Sequence, residues 1–234
     1  MTGKLYGVGV GPGDPELVTP KALKVLNSVN IIFAPKSKGK KESLALSVVR
    51  GLLEGKAEIK ELEFPMTKDA GVLEEAWENT VDEIYAELEK DRDVAFPTIG
   101  DPLFYSTFIY VMRKMKERHP KVEVEAVPGV TSLSACAVEL KMPLGEGDER
   151  IAVLPASYGL ENLGELSKVL DTIVLMKVSR NFNRILHTLE EHGLKEKAIY
   201  LSRCGSKGYY SATLDEMSGK EIDYFSMIII RCTK

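Results

Sequence analysis

The sequence predicts an α/β protein whose first half builds a mostly parallel sheet. Three observations carry that expectation. Short apolar runs alternate with segments of helical period as far as about residue 130. Three of those runs end in loops rich in glycine and proline: GPGDP at 11–15, GDP at 100–102 and PG at 128–129. The second half keeps apolar runs but changes texture after a charged, glycine-containing break at 146–150, and its run at 226–230 reads as a buried central strand.

Taken in order, residues 5–10 read as a strand that breaks into Gly11-Pro12-Gly13-Asp14-Pro15. Thr19 before Pro20 is an N-cap with proline at the first helical position, and that helix reaches about Asn27. Residues 29–34 are the next strand, followed by a polar basic loop at 35–41. Apolar positions 44, 45, 48, 49 and 52 make a helical stripe over 43–53. Residues 57–64 alternate as a strand does, and 70–90 form a long helix with a Val72, Ala76, Ile84, Leu88 face. A strand at 93–98 runs into Ile99-Gly100-Asp101-Pro102, a helix covers 105–118, and a strand covers 122–127. Beyond the break, strands are expected at 150–155, 172–178, 197–202 and 224–231, with a short one at 211–214. Helices are expected at 161–170 and 181–192.

Bulk properties narrow the function classes. The 234 residues suit one large domain or two small ones, and 44% hydrophobic with 28% charged residues is ordinary globular composition. A formal net charge of −4 argues against a general nucleic-acid binder. Cys136, Cys204 and Cys232 are odd in number and widely spaced, with no CxxC, so no disulfide framework or zinc site is expected and a reducing cytoplasm is the default. Cys136 is expected in the core. His187 and His192 are five apart, poor spacing for one helix face, so no metal site is expected there. No signal peptide is evident, and no apolar run approaches the ~18 residues that span a bilayer.

The first loop fails the obvious fingerprints. Glycines fall at 7, 9, 11 and 13, so the third glycine of a dinucleotide motif would land on Pro12 or Asp14. No Walker sequence follows. Prolines also remove the amide donors that a phosphate cradle needs. In a parallel sheet the carboxyl ends of strands share one edge, so the three loops should converge on a ligand there.

The stretches VGVGPGDPELVTPKAL (8–23), IGDPLFYST (99–107) and AVPGVTSLSACA (126–137) together resemble the tetrapyrrole methylases. The resemblance covers the whole chain in length and motif order. It is strongest to the C20-methylating branch, which acts on precorrin-2 or its cobalt complex with S-adenosylmethionine as methyl donor. It implies two αβα domains, 1–127 with a mostly parallel sheet and 128–234 with a mixed one, and a cofactor in the cleft between them. It also implies a homodimer and a tetrapyrrole substrate, while the net charge and the lack of a long apolar run argue against a nucleic-acid or membrane partner. By motif position, Pro12, Ile99, Gly100, Asp101, Phe104, Thr131 and Ser132 correspond to cofactor neighbours, and Met176 and Gly205 do so on a looser alignment. The chain departs from the uroporphyrinogen branch, whose Asp-Arg pair after the second strand is here replaced by Ala34-Pro35-Lys36-Ser37. No carboxylate therefore carries over as a base, and Tyr105, Asp101 and the substrate's own groups stay open for that role. A substrate with many carboxylates calls for cations. Lys36 and Lys38 in the basic loop, with Lys40 and Lys41 beside them, and Arg180 after the Met176 strand are the candidates.

Overall fold

The computed structural model describes residues 2–39, 41–65, 67, 69–157 and 160–232. The chain divides into two compact units, Met1–Ser132 and Leu133–Lys234.

The first unit holds strands β1 (Leu5–Gly9), β2 (Ile31–Ser37), β3 (Glu58–Phe64), β4 (Val94–Thr98) and β5 (Val124–Val127). They pair in the order β3-β2-β4-β1-β5, every pair parallel. Period-2 alternation sends successive side chains to opposite faces. Ile31 and Phe33 join Leu5, Val94 and Phe96 under helices α3 (Ala70–Leu88) and α4 (Phe108–Arg118). Ile32 and Ala34 join Val8, Ala95 and Val127 under α1 (Pro20–Ser28) and α2 (Leu44–Val49). Helices on both faces explain why β4 is buried along its whole length. Thr19 caps α1 as expected, its Oγ1 accepting from the Ala22 amide at 3.2 Å. Trp77 on α3 stacks on Tyr110 of α4 with centroids 4.1 Å apart, so it is a packing anchor between helices.

Several boundaries differ from expectation, and two of them have a clear local reason. β2 does not stop at Ala34 but continues through Pro35 and Lys36 to Ser37, paired with β3 as far as Ser37↔Phe64. β4 pairs with β2 only at Ile31 and Ile32. By Pro35 one edge of β2 is open, where a missing amide donor is tolerated. Lys36 is therefore a strand residue, not a loop residue. Likewise α4 starts at Phe108 rather than Tyr105. Tyr105 takes a left-handed φ of 53°, and Ser106 Oγ accepts from the Phe108 amide at 3.1 Å, opening the helix.

One charged cluster stabilises the far end of α3. Glu87 is buried, and its carboxylate accepts from Lys60 at 2.9 Å, Arg92 at 2.7 Å and Lys90 at 3.3 Å. The Lys60 hydrogen bond, opposed by desolvation and helped by Lys90, pulls its pKa down to about 2 from 4.5. A depressed carboxylate contributes stability above its unfolded pKa and loses it as pH falls through the folded value. Glu87→Gln should thus cost roughly 1–3 kcal/mol at neutral pH. The gap from wild type should shrink between about pH 4.5 and pH 2. Denaturant melts across that range check it, and a gap that does not narrow contradicts the assignment.

The second unit holds α5 (Ser132–Leu140, whose first residue closes the first unit), β6 (Ile151–Pro155), α6 (Leu163–Val169), β7 (Thr172–Met176), α7 (Phe182–Glu191), β8 (Ala198–Ser202), β9 (Tyr210–Thr213) and β10 (Ser226–Arg231). The sheet order is β6-β7-β10-β8-β9 and the sheet is mixed: β6 and β7 are parallel, and β10 runs antiparallel to both β7 and β8. β10 is central and buried from Ser226 to Ile230, as its apolar run suggests. Its alternate residues serve two cores. Ile228 and Ile230 pack with Ile185 and Leu189 of α7, while Met227 and Ile229 pack with Ala135 and Cys136 of α5.

The cysteines overturn an expectation. Cys136 and Cys204 form a disulfide across 68 residues of sequence, and Cys232 remains a buried free thiol. Cys136 does lie in the core, but as half of a crosslink. Absence of a CxxC motif says nothing about partners that only folding brings together.

Candidate functional site

The three glycine- and proline-rich loops follow β1, β4 and β5. Because β1 sits between β4 and β5, the loops leave the sheet side by side. The first two are joined backbone to backbone. The Gly100 amide donates to the Gly11 carbonyl at 2.8 Å in an isolated antiparallel bridge, and the Val10 amide donates to the Thr98 carbonyl at 3.0 Å. Two glycines make this approach feasible. A Cβ on Gly9 would lie 2.6 Å from both the Gly100 oxygen and the Gly129 nitrogen, and one on Gly129 would lie 2.2 Å from the Gly100 oxygen. Gly9 and Gly129 thus shape this loop cluster alongside the motif-matched residues. The alternation of glycines at 7 and 9 inside an apolar strand is the sequence signal that could have flagged Gly9.

Asp101 fastens the third loop. Its Oδ2 accepts from the Gly129 amide at 3.2 Å and its Oδ1 from the Leu103 amide at 2.8 Å. Asp14 plays a local version of the same part, accepting from the Glu16 amide at 2.9 Å. Both loop acids are engaged with backbone amides, so this edge offers shape and backbone rather than a free acid or base. Beneath it, the Thr98 and Ser106 hydroxyls share a buried hydrogen bond at 2.9 Å. Pro12 and Gly100 are buried within the loops. Ile99 is half-buried against the α1–α2 core, and Phe104 is half-buried edge-to-face with Tyr105 at 5.0 Å. Thr131 and Ser132 follow the Gly129 turn directly, and Ser132 opens α5.

Within the second unit, Met176 and Gly205 share one edge. Met176 ends β7 opposite Met227 at the start of β10, and Ser202 ends β8 opposite Ser226. The ends of β7 and β8 therefore flank the same end of β10, with Gly205 three residues past β8. Arg180 is exposed in the turn Val178–Arg180 before α7. It borders a depression of about 430 Å³ that Asn183, Arg184 and Lys220 also line.

The cations of the former basic loop are not equivalent. Lys36 Nζ lies 3.4 Å from Glu61 and 3.4 Å from Glu63 on β3, so its charge is already balanced. Lys38 is exposed, and among the described residues only its backbone is engaged, the amide donating to the Phe64 carbonyl at 3.0 Å. Lys40 lies outside the described residues. Among the described residues no group of three His, Cys, Asp or Glu could hold a metal ion, and no helix is long and apolar enough to cross a membrane.

Residues 4–218 match the model of a family described as Tetrapyrrole (Corrin/Porphyrin) Methylases. The chain is 42% identical to a probable cobalt-precorrin-2 C(20)-methyltransferase of Methanocaldococcus jannaschii, covering 97% of this chain and 96% of that one. It is 35% identical to the cobalt-precorrin-2 C(20)-methyltransferase of Salmonella typhimurium, covering 98% and 97%. It is 33% identical to a precorrin-2 C(20)-methyltransferase of a Sinorhizobium species, covering 97% and 95%. Among solved structures, uroporphyrin-III C-methyl transferase from Thermus thermophilus, complexed with S-adenosyl homocysteine, superposes with a TM-score of 0.69 over 97% of both chains at 24% identity, and so shares the fold.

Proposed function

We propose, because the chain belongs to the tetrapyrrole (corrin/porphyrin) methylases, that it methylates C20 of cobalt-loaded precorrin-2 in cobalamin biosynthesis, with S-adenosylmethionine as donor. The observation that carries this reading is the identity of 42% and 35% to C20-methyltransferases along nearly the full length of both chains. The Sinorhizobium relative, named for precorrin-2 without cobalt, favours a second reading on the metal-free substrate. Turnover of metal-free and cobalt-loaded precorrin-2 side by side, read by product mass, separates the two. Methylation of the cobalt form is expected. Methylation of the metal-free form alone selects the second reading, and no methylated product from either refutes the C20 assignment.

Bound S-adenosylmethionine supplies an electrophilic methyl group on a sulfonium. Its leaving group departs neutral, so the protein's task is alignment and exclusion of water. The interlocked edge of the first unit suits that task, since its rigid backbone can approach a ligand closely and its two loop acids are already occupied. In this reading Pro12, Ile99, Gly100, Asp101 and Phe104 border the cofactor, joined by Thr131 and Ser132 from the next loop and by Met176 and Gly205. A homodimer and a cytoplasmic location belong to the same reading.

For the substrate's carboxylates the reading assigns Lys38 and Arg180, which have no acidic partner among the described residues, with Lys36 a weaker contributor. Lys38→Glu should raise the KM for the tetrapyrrole several-fold and spare cofactor affinity, since it replaces a positive charge by a negative one that repels the substrate's carboxylates. Lys36→Met should instead loosen the β2–β3 edge, where it would leave Glu61 and Glu63 uncompensated. A KM unchanged by Lys38→Glu removes that residue from the site.

A further inference from the structure

We propose that the Cys136–Cys204 disulfide positions the Gly205 loop for the cofactor, an inference that rests on Gly205 being a cofactor neighbour. The loop after β8 is held in an unfavourable conformation. Arg203 takes φ 52° and Gly205 takes φ 68°, so Cys204 sits between two left-handed residues, one of them not glycine. Such a conformation persists only where its surroundings over-determine it.

Three anchors do so. The Arg203 amide donates to the Phe225 carbonyl at 2.9 Å, and Arg203 Nε donates to Asp223 at 2.7 Å. The Ser206 amide and hydroxyl both donate to the Arg203 carbonyl, at 3.1 and 2.8 Å. The disulfide is the third anchor and the only covalent one. It is also the one that reaches a different element, α5, where Cys136 is buried among Val174, Leu201 and Met227. The first two anchors tie the loop to the segment before β10 and to itself. Arg203 is exposed and its pair with Asp223 is correspondingly weak. The sulfur bridge therefore fixes the loop's height above the sheet, one residue before Gly205. A loop ordered before binding does not lose that order's entropy when the ligand arrives.

A purely stabilising crosslink would act on the unfolded chain and leave ligand affinity at assay temperature untouched. The two roles can be separated by reduction. Dithiothreitol delivers two electrons and two protons, the S–S bond breaks, two cysteine thiols form, and the reagent closes to its own cyclic disulfide. Calorimetric titration with S-adenosylhomocysteine would be run on the protein as purified, after reduction, and after reoxidation with oxidised glutathione, with thiol state read by alkylation and mass. A Cys136→Ala/Cys204→Ala variant repeats the comparison without reductant.

The expected result is an affinity about tenfold lower in the reduced and double-alanine proteins. It should be restored by reoxidation only in the wild type, with the KM for the tetrapyrrole unchanged. Unchanged affinity with both thiols verified free overturns the proposal. So does alkylation of both cysteines before any reductant is added, or unfolding of the reduced chain at assay temperature, which would make the bond a stability element. Gly205→Ala in the oxidised protein is the control on the premise. If it leaves affinity intact, the assignment of Gly205 fails first. If it weakens binding while reduction does not, only the positioning role fails.

Discussion

Gly129→Ala is expected to lower cofactor affinity roughly ten- to a hundredfold, the equivalent of losing a contact of about 1–3 kcal/mol. It should also destabilise the first unit by about 1–3 kcal/mol, as overpacking in a rigid site does. The added Cβ would stand 2.2 Å from the Gly100 oxygen, 2.8 Å from the Gly9 carbonyl carbon and 2.9 Å from Gly9 Cα. All three neighbours are backbone, so no side chain can swing away to make room. The loop after β5 must lift, and lifting it stretches the bond between the Gly129 amide and Asp101. Calorimetry for the cofactor and a thermal melt check both parts. Gly51→Ala is the matched control, because a Cβ there meets open space at an ordinary φ and should change neither quantity. Wild-type affinity in the Gly129 variant would mean that the three-loop contact is not part of the site.

The alternation of strands and helices was legible because parallel pairing forces it. Each strand of the first unit must be short, apolar and followed by a crossover, which leaves a periodic trace in the chain. The loops that end β1, β4 and β5 were legible for a related reason, since glycine and proline mark abrupt turns whatever surrounds them. Pairing order is different in kind. That β1 lies between β4 and β5 depends on contacts some 90 to 120 residues apart, and no local pattern encodes it. The same holds for Lys36. Its strand reads as a loop because Pro35-Lys36-Ser37 is polar, and only the register with Glu61 and Glu63 shows that a charged residue can sit in a strand there. Cys136 and Cys204 are the sharpest case, since their pairing is set by how α5 lies on β8 and β10. Asp101 stands between the two kinds. Its place in a Gly-Asp-Pro turn marks it, but its two backbone partners, one of them 28 residues away, could not be read from that turn.

Those partners set the second large effect. Asp101→Ala removes the acceptors for the Leu103 and Gly129 amides together. An amide left without a partner in a crowded place costs about 1–3 kcal/mol, and the Gly129 amide is the more enclosed of the two. Cofactor affinity should fall at least about tenfold, the equivalent of one such lost bond. Asp101→Asn should fall between wild type and alanine, since its side chain keeps one acceptor oxygen and turns an NH2 toward the other amide. Unchanged affinity in the alanine variant would remove Asp101 from the site. Because Asp101 and Gly129 act through one contact, their effects should not add. Gly129→Ala already stretches the Asp101–Gly129 bond, so the double variant should bind less weakly than the sum of the two single effects predicts. Full additivity would mean that Asp101 acts on the cofactor independently of the Gly129 loop.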